Sequence, residues 1–190
     1  MNTYEKTLSN HIISVCRKGS FSAAKDCLEQ RRDKIGVQAA ARIEQLIFES
    51  EVQWHLDEAR GDDAAIEYLH GIRSLDIAKQ PKNATKIKQR LEQHWLNKIN
   101  AAQTDGDFLY AAAIADQGIA DVGSSGILSN AKRNCFRNYD AFYHNKFADF
   151  ANKKRYEEAL DVLNEGLRGN PESQALKKDL KLLQNMMGKE

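Results

Sequence analysis

The chain has 190 residues, 42% hydrophobic and 29% charged, with a net charge of +1. That mix excludes a disordered tract, which would carry fewer apolar residues and a larger net charge. The balance also lacks the basic excess of a dedicated nucleic-acid binder, and no apolar run approaches the roughly 20 residues needed to span a membrane.

The amino terminus, Met-Asn-Thr-Tyr-Glu-Lys, has neither the basic start nor the apolar stretch of a secretory signal, so a cytoplasmic protein is expected. Cys16, Cys27 and Cys135 lack C-x-x-C spacing and cannot all pair within one chain. They are expected as packed free thiols. Only Pro81 and Pro171 interrupt the chain, leaving room for long helices.

In chain order, four segments share one pattern. The first holds Gly19-Ser20-Phe21, then Ala24 and Leu28; the second holds Gly61-Asp62, then Ala64, Tyr68, Gly71 and Ile72. In the third, Gly106-Asp107-Phe108 leads to Ala111, Ala115, Gly118 and Ile119. In the fourth, Lys154-Arg155-Tyr156 leads to Ala159, Leu163, Gly166 and Leu167. Ala24, Ala64, Ala111 and Ala159 thus mark four units of comparable length. Positions +4, +7 and +8 from an alanine lie on one helical face. Glycine inside a helix costs about 1 kcal/mol relative to alanine, so its return at +7 predicts close approach by a neighbouring helix.

That neighbour is found at a constant distance upstream of each alanine, at Leu8, Phe48, Trp95 and Tyr143. One helical turn later come Ile12, Val52, Ile99 and Phe147, and after the next turn Val15, His55, Ala102 and Phe150. This is the spacing of a buried helical stripe; His55 is expected as a hydrogen-bonded core histidine. Each leading helix thus carries large side chains that the small residues of its successor receive. Turns within pairs are expected at Gly19, Gly61, Gly106 and Asn152-Lys153-Lys154, where the chain needs a left-handed residue. Breaks between pairs fall at Asp33-Lys34-Ile35-Gly36, Lys79-Gln80-Pro81, Gly123-Ser124-Ser125-Gly126 and Gly169-Asn170-Pro171. Asn170 and Pro171 read as a helix cap followed by a first-turn proline.

The expected fold is all-α: about four antiparallel helix pairs with extended leading helices, spanning 37–60, 83–104 and 127–153 in the last three pairs. They form a single domain over 1–190, with units 3–34, 37–78, 83–122 and 127–169. A capping helix at 172–187 would turn Leu176, Leu180, Leu183 and Met187 inward and Lys177, Lys178, Asp179 and Lys181 outward.

These residues resemble the tetratricopeptide repeat, most fully in the fourth unit. Tyr143, Phe147 and Phe150 look like that family's first-helix residues, and Tyr156, Ala159, Leu163, Leu167 and Pro171 like its second-helix and terminal positions. Gly106-Asp107-Phe108 followed by Ala111 looks like its turn signature. The units here are longer than that family's repeat of about 34 residues, and helical repeats of the HEAT or armadillo type, about 40 to 47 residues, are the rival architecture.

Catalytic patterns are lacking. His11, His55, His70, His94 and His144 form neither H-E-x-x-H nor a zinc-spaced cluster. Asp57-Glu58 with Asp62-Asp63, and Asp105 with Asp107, read as turn and cap residues. Gly123-Ser124-Ser125-Gly126 is no phosphate loop, and Asn83-Ala84-Thr85 reads as a helix cap. No enzyme activity, cofactor or metal is expected.

In tetratricopeptide-like arrays the leading helices line a groove for an extended or helical peptide. The resemblance therefore implies a protein-binding scaffold or adaptor, chaperone-like in mode. Its groove candidates here are Gln53, Gln93, Asn97, Asn100, Gln103, His144, Asn145 and Ala148. The expected partner is a protein or peptide; a homo-oligomer is left open, and nucleic acid is not expected. The alternative is a nucleic-acid or phosphate-binding regulator using Lys79, Lys82, Lys86, Lys88, Arg90 and Lys98.

Overall fold

The structure, a computed structural model, describes residues 2–58 and 63–188. Among these residues it contains ten α-helices, one 3-10 turn and no strand, so the chain is all-α. It divides into two compact units, Met1–His94 and Trp95–Glu190. Ala59 and Arg60, expected at the end of the leading helix of the second pair, and Gly61 and Asp62, expected in the turn after it, lie outside the described residues.

The first unit holds α1 (Thr3–Cys16), α2 (Phe21–Glu29), a 3-10 turn (Arg32–Lys34), α3 (Val37–Glu58), α4 (Asp63–Ile72), α5 (Asp76–Lys79) and the opening turns of α6 (Pro81–Thr104). Asn2 starts α1 with a reciprocal capping box: its side chain accepts from the Glu5 N–H, and Glu5 accepts from the Asn2 N–H. Leu8, Ile12 and Cys16 of α1 meet Phe21, Ala24 and Leu28 of α2 and Ile43 and Ile47 of α3 in one core. Full burial of each of these leucines and isoleucines stabilises the fold by about 1.5–3 kcal/mol.

The second unit continues α6 and adds α7 (Phe108–Val122), α8 (Gly126–Asn152), α9 (Tyr156–Gly169) and α10 (Gln174–Met187). Ile99 and Ala102 of α6 pack with Ala111 and Ala115 of α7 and Leu128 and Cys135 of α8. Tyr143 and Phe147 of α8 pack with Ala159 and Leu163 of α9 and Leu176 and Leu183 of α10. The two buried glycines of the predicted strip sit between larger neighbours. A β-carbon on Gly118 would stand 2.8 Å from Trp95 Cγ and 3.0 Å from Leu128 Cδ1, and one on Gly166 would stand 2.9 Å from both Tyr143 Cγ and Leu176 Cδ1. Those helices can approach so closely only because the side chain is missing.

Three corners are built alike. Gly19, Gly106 and Lys154 have φ of 72°, 82° and 58°. The N–H of the next residue reaches back five positions, from Ser20 to Val15 O, Asp107 to Ala102 O and Arg155 to Phe150 O. This is the Schellman closure of a helix end. An aromatic follows directly, Phe21, Phe108 or Tyr156, and opens the next helix.

Several expectations are corrected. In α4 the buried residues are Ala65, Ile66, Leu69 and Ile72, while Ala64 and Gly71 are exposed and a β-carbon on Gly71 would meet nothing within 4 Å. The predicted strip is therefore one residue out of phase there. His55 is not hydrogen-bonded among the described residues; its ring stacks on Tyr68, centroids 4.2 Å apart. The cap of α10 is Ser173, whose hydroxyl accepts from the Leu176 N–H, while Asn170 closes α9 and donates to Asp140. Asn83 lies inside α6 and ties back to the Ile77 carbonyl. Asp179, assigned outward on α10, is 9% exposed and faces His144. Met187, assigned inward, is 38% exposed.

Candidate functional site

The α3 sequence places polar side chains at every fourth position, Gln45, Glu49, Gln53 and Asp57, on one face of the helix. They link along the axis: Gln45 donates to Glu49 Oε1 at 2.9 Å and Gln53 donates to Asp57 Oδ2 at 2.6 Å. The hydrogen bond from Gln53, with that from Lys86, holds the Asp57 carboxyl below the usual carboxylate range. It therefore remains an anion at neutral pH.

Two clefts open beside this ridge, both within the first unit. Between α1 and α3 lies one of about 550 Å³, with Ile13, Leu46 and Trp54 as half-buried apolar lining. The Trp54 ring covers the left-handed Gly19, whose β-carbon would stand 2.7 Å from Trp54 Cζ2, and it meets Phe21 edge-on at 6.1 Å. The indole is thus braced from behind by the α1–α2 corner. Cys16 contributes an apolar surface, since burial pushes its thiol upward from the ordinary value. Three charged side chains also line the cleft, Arg17, Glu49 and Asp57; of these, Arg17 at the C-cap of α1 and Glu49 on α3 have no ion-pair partner among the described residues.

The other cleft, about 530 Å³, lies between α3 and the part of α6 in the same unit, with Asp57, Lys86, Gln89, Arg90 and Gln93 on its walls. Arg90 donates to the Leu56 and Asp57 carbonyls, each at 2.6 Å, and so closes the end of α3. Lys86 reaches Asp57 at 3.0 Å. With Lys79 3.5 Å from Asp76 and the Lys98 ammonium over the Trp95 ring at 5.2 Å, much of the basic 79–98 region is engaged inside the protein.

Of the sequence-derived candidates, Gln53 lines the first cleft and Gln93 the second. Asn97 and Asn100 are exposed on α6 in the second unit, where Gln103 accepts from Asn138 of α8 at 2.7 Å. His144 Nδ1 stands 2.8 Å from Asp179 Oδ2, tying α8 to α10, and its ring packs near Phe147. Asn145 is exposed and Ala148 half-buried. The structure thus places Gln53 and Gln93 in adjoining clefts that share Asp57, and it gives His144 a partner within the fold.

Arg17, Glu49 and Trp54 were missed by sequence reasoning. The recurring polar spacing through Glu49 and Asp57 was the available signal; the α1–α3 contact that makes the cleft is long-range and left none. Among the described residues, no group of three histidine, cysteine or acidic side chains could hold a metal ion, and no helix is long and apolar enough to cross a membrane. Comparison with family models, curated proteins and solved structures found no match.

Proposed function

We propose that the chain is a non-enzymatic scaffold or adaptor that holds a peptide or helix of a partner protein along its leading helices, as the tetratricopeptide resemblance implies. The observation that carries this reading is the α3 ridge. It is a line of hydrogen-bonding side chains at helical repeat spacing, flanked by two clefts, one of them floored by a braced indole. Amide and carboxylate groups along a groove match the main-chain donors and acceptors of a bound peptide, and a partly exposed tryptophan supplies the apolar anchor typical of protein interfaces. The alternative reading, phosphate binding by the 79–98 region, has less support because Lys86 and Arg90 already serve Asp57 and the end of α3.

Site-specific photo-crosslinking tests the proposal. A photoreactive residue placed at Gln53 should yield discrete protein adducts in cells, whereas the same residue at exposed Asp26 of α2 should not. Adducts absent at position 53, or equal at both positions, would overturn the assignment of this surface.

A further inference from the structure

The α1–α3 cleft carries information about the chemistry of its guest. Its apolar lining is the Trp54 indole with Ile13, Cys16 and Leu46, and the indole is its one aromatic surface. Its ionic groups are Glu49 and Asp57 on α3 and Arg17 at the C-cap of α1; Lys86 neutralises Asp57, which leaves Glu49 and Arg17 as the uncompensated charges of the lining. Just over two helical turns separate the two carboxylates, about 12 Å along the axis. Asp57 already receives Lys86 and Gln53. Glu49 receives the neutral Gln45 amide, so among the described residues it is the acceptor in this cleft left without a cation.

Resting on the scaffold reading above, we propose that this cleft selects a partner segment with one large apolar side chain for Trp54 and a lysine or arginine beside it for Glu49. Arg17 on the opposite wall offers its donors to the guest's main-chain carbonyls. The apolar contact supplies most of the affinity, because burial at an aromatic anchor outweighs an exposed ion pair. The Glu49 pair supplies the choice among guests, since a like charge in its place is repelled.

The experiment is a selection from a displayed library of random peptides, each long enough to cross the cleft, against the full chain. Enriched peptides should combine a bulky apolar residue with a nearby basic one. Against Glu49→Lys, at an exposed position where the fold has little at stake, their affinity should fall roughly three- to tenfold. Exchanging the peptide's basic residue for glutamate should restore it. Enriched peptides without a basic residue, or unaffected by Glu49→Lys, overturn the inference, as does a library that enriches nothing. The crosslink at position 53 decides the scaffold reading separately: adducts there with the wrong peptide chemistry leave a binding surface whose guest was misjudged, while no adducts and no enrichment remove both.

Discussion

Trp95 lies directly against Gly118, with its Cγ 2.8 Å from where a β-carbon on that glycine would stand. The same relationship joins Tyr143 to Gly166 at 2.9 Å, one helix pair further along the chain. Contacts between β-carbons and neighbouring atoms that short do not occur without displacement, so even the smallest substitution must push the indole or the phenol aside.

The expected outcome is opposite for glycines of the same sequence register. Gly118→Ala and Gly166→Ala should each overpack the helix contact and destabilise the chain by about 1–3 kcal/mol. Gly71→Ala, with open space around the new carbon, should stabilise it by about 1 kcal/mol through helix propensity alone. Denaturant midpoints of the three variants check this, and equal shifts in all of them would contradict the packing.

The fold class was legible because the apolar spacing stays helical from α1 to α10, and the corners because glycine or a polar run marks a left-handed residue. The phase of α4 was not. Ala24, Ala111 and Ala159 follow Ile12, Ile99 and Phe147 at one constant interval, whereas the buried Ala65 stands a single position further from Val52. Matching the glycine at Gly71 selected the wrong alanine, since that glycine has no close neighbour to accommodate. At the candidate site, Gln53 was legible as a polar residue flanking the stripe. Arg17 and Trp54 become neighbours only when α1 folds onto α3, a relationship that no local periodicity encodes.

Tyr68 offers a test through its hydroxyl, which is buried and finds no hydrogen-bond partner among the described residues. Burial raises its pKa above the ordinary 10.0, with the Glu51 carboxylate adding to the effect. A raised value in the folded state means that the associated stability is intact below pH 10.0 and is lost as pH climbs above it. Tyr68→Phe removes an unsatisfied polar atom while keeping the ring stacked on His55. It should stabilise the chain at neutral pH by about 1 kcal/mol and delay alkaline unfolding. Melting temperatures measured at neutral and alkaline pH give the readout; a destabilised variant would mean that the hydroxyl has a partner after all.

Glu5 reports on the opposite end of the pH scale. Its carboxylate accepts from the Asn2 and Gly36 N–H groups, at 2.7 and 3.2 Å, pinning the start of α1 to the chain entering α3. Those backbone donors, Asn2 first, hold its pKa below the ordinary 4.5. A lowered value means that the contribution is present above 4.5 and disappears as pH falls through the folded-state value. Glu5→Gln should therefore be less stable than the parent at neutral pH, and the two should converge in acid. Chemical denaturation at both pH values measures the gap. A gap that stays constant would assign the loss to packing rather than to the carboxylate.

Lys154 occupies the left-handed corner that glycine fills at Gly19 and Gly106, with φ of 58°. A residue with a β-carbon pays about 1–2 kcal/mol for that conformation, offset in part by the greater freedom that glycine loses on folding. Lys154→Gly should accordingly stabilise the chain by up to about 1 kcal/mol, although it adds no contact to the core. The reverse change, Gly106→Ala, is a clean control. A β-carbon there meets nothing within 4 Å, so any loss is conformational rather than steric, and about 1 kcal/mol is expected. Calorimetric melting of both variants settles the sign: Lys154→Gly should melt higher than the parent and Gly106→Ala lower. If both melt lower, the corner at Lys154 does not hold the left-handed geometry that closes α8 onto α9.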